Sequence, residues 1–224
     1  MTETSGYTES WADSIRLGQD IYLALKYGHA SAWVWWQISE NDGTGNPPSE
    51  YSLMNLGVPG KKYYVSKQYY RYVRPGAVRV ESSTNNSDVL VTAFHHKTNR
   101  TVAIVLINTG ASEKLVTLNI TGGDIPQEFN VYRTSATENC INAGTVPSDG
   151  QVVLAASSIT TLYGRPLVNF YEFTKFAGQW LQTECTGDNQ WCGGADFNHS
   201  GKVDLLDMRL LADEWLLESP FNWP

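Results

Sequence analysis

The chain has 224 residues, of which 42% are hydrophobic and 17% charged, a composition typical of globular proteins and too apolar for a disordered chain. Its formal net charge of −7 argues against nucleic acid as a partner. No apolar run reaches the roughly 18 residues that a membrane span needs. The opening MTETSG has neither the positive nor the apolar segment of a secretory signal.

The first third of the chain predicts two helices around one apolar segment. Residues 8–27 carry an apolar stripe at helical spacing, and Ser10 followed by Asp13 is typical of a capping box. SAWVWWQIS, residues 31–39, reads as a strand buried on both faces of a parallel sheet. A Gly- and Pro-rich loop then leads to a second helix at 63–73. This order is typical of the last part of a (β/α)8 barrel.

From Val78 the pattern changes to alternating apolar and polar residues separated by turns, which predicts an antiparallel β-sandwich. The predicted strands are 78–83, 88–96, 101–108, 114–121, 128–134 and 151–163.

After Gly164 the sequence contains an internal repeat. VNFYEFTKFAGQWL at 168–181 aligns with VDLLDMRLLADEWL at 203–216, at a constant offset of 35 residues. A repeat of this size predicts two similar helical units that pack on each other.

The second copy is preceded by the sequence DFNHSGKVDLLD, which has the spacing of a twelve-residue calcium loop. Side-chain oxygens stand at positions 1, 3, 5, 9 and 12, a glycine stands at position 6, and position 7 contributes a backbone carbonyl. The alternative is a polar turn that caps the following helix. In order of position, the predicted Ca²⁺ ligands are Asp196, Asn198, Ser200, Lys202, Asp204 and Asp207.

Two of the three cysteines, Cys185 and Cys192, stand close together in the sequence CTGDNQWC. A disulfide here would close a short loop in an oxidising compartment. Metal binding by this pair is less favoured, because no second Cys or His pair stands at zinc-like spacing. Cys140 is interpreted as an ordinary half-buried thiol.

With its calcium loop, duplicated helices and trailing ADEWL, the region 166–224 resembles a type I dockerin module. The first copy departs from that pattern, because TLYGRP at 161–166 stands where its loop should be, so one calcium site is expected. Dockerins commonly carry small hydroxyl residues at loop positions 10 and 11 for cohesin recognition, whereas this chain has Leu205 and Leu206.

The first 165 residues resemble the C-terminal end of glycoside hydrolase family 30. The resemblance is carried by TETSG, SAWVWWQIS, KKYYVSKQYYRYVRPGAVRVESS and VTAFHHKTNRTVAIVLINTG, in that order. It implies a (β/α)8 barrel fused to a β-sandwich, and activity on xylan, glucuronoxylan or β-1,6-glucan. It also implies that Glu3, at the end of barrel strand seven, is the nucleophile of a retaining glycosidase.

The segment SAWVWWQIS would then be barrel strand eight, and Trp36, Gln37 and Trp33 are the expected substrate-binding residues. Core packing is an equal alternative for the tryptophans. The family's acid/base segment, Asn-Glu-Pro at the end of strand four, has no counterpart here. We therefore expect Met1 to be an internal methionine of a longer protein, and the chain alone to be inactive.

Taken together, the sequence predicts a multidomain α+β chain: a remnant of a (β/α)8 barrel at 1–76, an antiparallel β-sandwich at 77–165 and a small all-α, EF-hand-like or dockerin-like module at 166–224. The expected function is that of a secreted or cell-surface endo-β-glycanase fragment that binds Ca²⁺. Its expected partners are a polysaccharide substrate and a cohesin-like or other cell-surface protein. The alternative is a non-catalytic carbohydrate-binding or anchoring protein.

Overall fold

The computed structural model describes residues 4–122, 125–166, 168, 170–213 and 215. The chain divides into two compact units, residues 1–165 and residues 166–224. The predicted boundary at 76/77 lies inside the first unit. The helices are α1 (Trp11–Lys26), α2 (Lys61–Tyr70), α3 (Phe170–Gly178), the short α4 (Gln190–Gly194) and α5 (Leu205–Asp213). None of the helices in the described part is long and apolar enough to cross a membrane.

The strands of the first unit form three sheets. The strands are β1 (Ser39–Glu40), β2 (Met54–Asn55), β3 (Val58–Pro59), β4 (Val78–Val80), β5 (Val89–His96), β6 (Thr101–Asn108), β7 (Lys114–Thr117), β8 (Glu128–Thr134), β9 (Ile141–Pro147), β10 (Gln151–Leu154) and β11 (Ser158–Gly164). A small mixed sheet has the order β1-β2-β3, a two-stranded antiparallel sheet pairs β10 with β7, and a six-stranded antiparallel sheet has the order β4-β5-β6-β11-β8-β9.

The central strands β6 and β11 of the six-stranded sheet are buried on both faces. Every residue of β6 is buried, and its side chains alternate between two cores. Ile104 and Leu106 pack in the sandwich core with the two-stranded sheet, whereas Val105 and Ile107 pack under the helices. A sandwich with one solvated outer face would show alternating burial instead.

Helices α1 and α2 cover the second face of this sheet. Helix α1 starts as its sequence predicts, because the Ser10 hydroxyl accepts a hydrogen bond from the backbone N–H of Asp13. Leu17 and Ile21 of α1 and Val65 of α2 are buried against Val105, Ile107 and Ile159 of the sheet. The helices predicted for the barrel remnant therefore share a core with the β-sandwich.

The second unit contains the repeated helices. Helices α3 and α5 begin and end at positions separated by the same 35 residues as the sequence repeat. Val168 forms a β-bridge with Trp215, and Thr183 forms one with Lys202. A small apolar cluster includes Phe176, Val203 and Leu211.

Candidate functional site

The segment 33–38 lies between two neighbouring pieces of backbone. Thr4 forms a parallel bridge with Trp35: its N–H donates to the Val34 carbonyl at 2.9 Å, and its carbonyl accepts from Trp36 N–H at 2.8 Å. On the other side, the Gln37 carbonyl accepts a hydrogen bond from Leu53 N–H at 3.0 Å. The Trp36–Gln37 peptide bond is cis. The predicted nucleophile, Glu3, lies outside the described residues.

The prediction that this segment is a strand buried on both faces is wrong. Trp35 is only 7% exposed and packs among the residues of α1 and α2, whereas Val34, Trp36 and Ile38 are each more than half exposed. The structure assigns a bridge rather than a full strand here. The reason is that one face rests on the helices, while no described residue buries the other.

The three predicted substrate-binding residues are in different environments. The indole of Trp36 is 55% exposed, whereas Trp33 is half-buried and packs at the edge of the helix core. Gln37 is also half-buried. Because neighbouring side chains of an extended segment point to opposite sides, the Trp36 ring faces solvent, whereas the Trp33 ring packs at the edge of the helix core.

A buried lysine, which the sequence patterns did not single out, packs against the buried side of this segment. Lys62 is completely buried, and its Nζ lies 3.3 Å from Glu9 Oε1 and donates to the Tyr7 carbonyl at 2.8 Å. It also lies 5.6 Å from the ring centroid of Trp35, which stacks on Tyr7. The ammonium thus links α2 to both segments of the Thr4–Trp35 bridge: to Tyr7 and Glu9, which follow Thr4, and to the Trp35 ring.

Burial dominates the electrostatics of this ion pair. Desolvation raises the pKa of Glu9, and the Lys62 ammonium opposes that rise. Desolvation likewise lowers the pKa of Lys62, and the Glu9 carboxylate opposes the change. Each group therefore opposes the desolvation of its partner, so removing one leaves the other buried and uncompensated.

The predicted calcium loop is closed by its own acidic residues. Asp196 and Asp207 are 1% and 0% exposed. The Asp196 carboxylate accepts from the N–H groups of Ser200 at 3.0 Å and Gly201 at 2.9 Å. The Asp207 carboxylate accepts from Asn198 N–H at 3.1 Å and Asp204 N–H at 2.9 Å. Gly201 has φ +94°, as position 6 of such a loop requires.

The loop does not bring all six predicted ligands to one point. Asp204 Oδ2 lies 2.9 Å from Lys202 Nζ, so this carboxylate is engaged by a lysine. Among the described residues no group of three or more His, Cys, Asp or Glu forms a metal-binding cluster. Two buried carboxylates with oxygen donors on Asn198 and Ser200 are nonetheless a donor set that suits a hard cation.

Cys185 and Cys192 form a disulfide, with their Cα atoms 4.9 Å apart. It closes a loop that lies against the predicted calcium loop: Cys185 N–H donates to the Gly201 carbonyl at 3.0 Å. Cys140 is the free cysteine and is half-buried.

Comparison with known proteins shows that this chain is similar to glycoside hydrolases. Residues 76–162 match the family model of the glycosyl hydrolase family 30 beta sandwich domain. The chain is 29% identical over 160 residues to the glucuronoxylanase XynC of Bacillus subtilis (strain 168), covering 68% of this chain and 35% of that protein. It is 27% identical over 111 residues to the endo-beta-1,6-galactanase of Hypocrea rufa, covering 50% of this chain and 22% of that protein.

A solved structure agrees with these relatives. The GH30 endoxylanase from Clostridium papyrosolvens C71 matches with a TM-score of 0.65 at 25% identity, over 74% of this chain and 41% of that chain. The chain spans about a third of the length of the curated relatives it matches. Its relatives are glycoside hydrolases, and their similarity supports the sandwich and the family 30 resemblance.

Proposed function

We propose that residues 1–165 are the C-terminal part of a secreted, retaining endo-β-glycanase that hydrolyses xylan, glucuronoxylan or a β-1,6-glucan. The observation that carries this proposal is the parallel pairing of Thr4 with Trp35, next to the exposed ring of Trp36. Similarity to a glucuronoxylanase over 68% of the chain supports it. The residue before Thr4 in the sequence is the proposed nucleophile, Glu3.

In this proposal Glu3 attacks the anomeric carbon and forms a glycosyl-enzyme, which water then hydrolyses. The leaving sugar oxygen must be protonated by a second carboxylic acid about 5–5.5 Å from the nucleophile. Since the family's acid/base segment has no counterpart in the sequence, that group has to come from another polypeptide segment. The isolated chain is therefore expected to bind glycan at Trp36 without cleaving it.

A chimera tests the assignment of Glu3. The part of Bacillus subtilis XynC that precedes the aligned region is joined to residues 1–224, and hydrolysis of glucuronoxylan is measured. We expect activity in the chimera, a loss of at least about 10³-fold in Glu3→Gln, and little change in Glu50→Gln, an exposed glutamate that serves as control. Activity retained by Glu3→Gln rules out the nucleophile, and hydrolysis by residues 1–224 alone rules out the fragment assignment.

The same proteins test the non-catalytic alternative. If the chimera is inactive while residues 1–224 are retained on insoluble xylan through Trp36, the chain is a binding or anchoring protein. Product anomers observed by NMR early in the reaction test the retaining mechanism, because a retaining enzyme releases the β-anomer first.

We also propose that the loop 196–207 holds one Ca²⁺ ion. The support is the burial of Asp196 and Asp207 in a loop whose recorded donors to them are backbone N–H groups. Two buried carboxylates in one small loop are costly unless a cation neutralises them. Asn198, Ser200 and the Lys202 carbonyl would complete the oxygen ligands, and Asp204 would join them on leaving the Lys202 ammonium.

Calorimetric titration with CaCl₂ tests this ion site. We expect one binding event that Asp207→Ala weakens at least tenfold, while Asp213→Ala at the exposed end of α5 leaves it unchanged. No heat in the unmodified chain would rule the site out.

For the dockerin-like module we propose a cohesin-like or other cell-surface partner that contacts Leu205 and Leu206, which are 71% and 58% exposed.

A further inference from the structure

The calcium loop (residues 196–207) is supported by the disulfide loop (residues 185–192) at three points. Cys185 N–H donates to the carbonyl of Gly201, at the tight turn, with a distance of 3.0 Å. The Trp191 carbonyl accepts from the N–H of Asp196, the first ligand, at 3.1 Å. The Trp191 ring stacks on His199, with centroids 4.2 Å apart and an interplanar angle of 18°. These contacts hold both the start and the turn of the calcium loop.

The backbone that presents Trp191 has an unusual conformation. Gln190, Trp191 and Cys192 are three consecutive non-glycine residues with φ of 55°, 56° and 55°. L-residues adopt this left-handed region at a cost and keep it only where the surroundings impose it. Two such constraints are present: the disulfide at Cys192, and the Asn189 side chain, which accepts from the N–H groups of Thr186 and Cys192 at 2.9 and 3.0 Å.

The disulfide also belongs to the apolar core beneath the calcium loop. Cys185 and Cys192 are 2% and 7% exposed and lie in one cluster with Ala195 and Val203, which are 1% and 0% exposed. Val203 is itself position 8 of the calcium loop. Opening the disulfide would therefore release the left-handed turn and the core contact of the calcium loop together.

We propose that Trp191 and the Cys185–Cys192 disulfide are positioning elements of the calcium loop, so that its Ca²⁺ affinity depends on the redox state of the disulfide. This inference rests on the proposed calcium site. In the oxidised chain the Asp196 N–H and the Gly201 carbonyl are fixed before the cation arrives, so binding has less chain to order. The loss of such support typically weakens metal binding at least tenfold.

Linkage gives a test that needs no change in the disulfide loop. In a Cys140→Ser background the chain is equilibrated with reduced and oxidised dithiothreitol, in saturating CaCl₂ or in EGTA. The dithiol supplies two electrons and two protons to the protein disulfide and becomes a cyclic disulfide itself. Alkylation and mass spectrometry then give the ratio of oxidised to reduced protein.

Because coupling between two equilibria is reciprocal, Ca²⁺ must favour the oxidised form by the same factor by which oxidation strengthens Ca²⁺ binding. We expect about tenfold, which corresponds to a shift of about 30 mV in the two-electron potential. Equal redox ratios in CaCl₂ and in EGTA would overturn the proposal.

Titrations with variants test the role of Trp191 separately. Oxidised Trp191→Ala should bind Ca²⁺ about tenfold more weakly. Trp191→Phe, which keeps an aromatic ring against His199, should recover much of the affinity, and Phe170→Ala, at a side chain 73% exposed, is the matched control. Far-UV circular dichroism checks that each variant is folded.

The outcomes separate the two proposals. An oxidised chain that binds no Ca²⁺ refutes the calcium site itself. A chain that binds Ca²⁺ with the same affinity in the oxidised, Trp191→Ala and Cys185→Ser/Cys192→Ser forms refutes only the positioning role.

Discussion

The two units of the chain bury their apolar residues on very different scales. In residues 1–165 three clusters of apolar side chains fill the space between two sheets and two helices. In residues 166–224 one small cluster includes the two disulfide cysteines, and Asp196 and Asp207 are buried as well. The first unit also encloses an ion pair between Lys62 and Glu9, whereas the ion pairs recorded in the second unit lie nearer its surface.

Chain length explains this difference. A domain of fewer than about 70 residues rarely obtains more than about 3–5 kcal/mol from its core, so disulfides and metal ions commonly supplement it. The larger unit has enough apolar burial to accommodate two charges whose desolvation raises the pKa of Glu9 and lowers that of Lys62. We therefore expect the first unit to respond to changes in packing and buried charge, and the second to changes in calcium and redox state.

The largest expected effect is the loss of the buried ammonium in the first unit. Lys62→Met leaves the Glu9 carboxylate buried without its partner and should reduce the free energy of unfolding by about 4 kcal/mol. Urea unfolding of the two units measures the loss, which should be confined to the first.

The double variant Glu9→Gln/Lys62→Met distinguishes a charge effect from lost packing. Because it removes both charges, it should recover at least half of the stability that Lys62→Met loses. Lys67→Met on the same helix is the control and should change the free energy of unfolding by less than about 0.5 kcal/mol. Equal losses in the single and double variants would show that the ion pair is not the cause.

Removal of calcium should destabilise the second unit, residues 166–224. At a Ca²⁺ concentration about 100 times its dissociation constant, the ion would stabilise the second unit by about 2.7 kcal/mol. Differential scanning calorimetry should show two transitions, and EGTA should lower the temperature of only one. Asp207→Ala should make that transition insensitive to EGTA. A shift of both transitions would mean that the units do not unfold separately.

The smallest expected effect is a pH dependence that belongs to the first unit. Arg133 Nε and Nη2 donate to the two carboxylate oxygens of Glu138 at 2.7 and 2.6 Å, which lowers the pKa of Glu138. A lowered pKa stabilises the fold above the usual value of about 4.5, and this contribution is lost as the pH falls through the folded-state pKa.

Glu138→Gln should therefore reduce the free energy of unfolding by no more than about 1 kcal/mol at pH 7. The difference from the unmodified chain should shrink below about pH 4.5. Glu113→Gln, at an exposed position, provides the comparison. A difference that grows on acidification would contradict the assignment.

Local signals in the sequence predicted much of this fold. Ser10 caps helix α1 as predicted. Strands β5, β6 and β8 lie within one residue of their predicted ranges, and the 35-residue repeat corresponds to α3 and α5. Each of these signals depends on short-range backbone chemistry or on a regular period, which a single sequence contains. The range predicted as one strand at 151–163 is divided into β10 and β11 by a turn at 155–157.

The features that were missed depend on tertiary surroundings. Strand β9 is almost entirely exposed, so Ile141–Pro147 shows no apolar alternation. Lys62 follows Lys61 at the start of a helix, where two lysines ordinarily face water. Its burial depends on partners distant in sequence: the Glu9 carboxylate and the carbonyls of Tyr7 and Ser49. The segment around Trp36 is the opposite case: its apolar run predicted burial, yet the Trp36 ring is exposed. An apolar run is buried only where other parts of a protein cover it.

The two-sided burial of β6 has a consequence for protein engineering. If the sandwich were transplanted without α1 and α2, Val105, Ile107 and Ile159 would form an apolar surface in water. Such a surface on a flat sheet promotes aggregation. The boundary of a graft, a truncation or a recombination crossover that preserves folding should therefore lie before Trp11. Both helices are then transferred together with the sandwich.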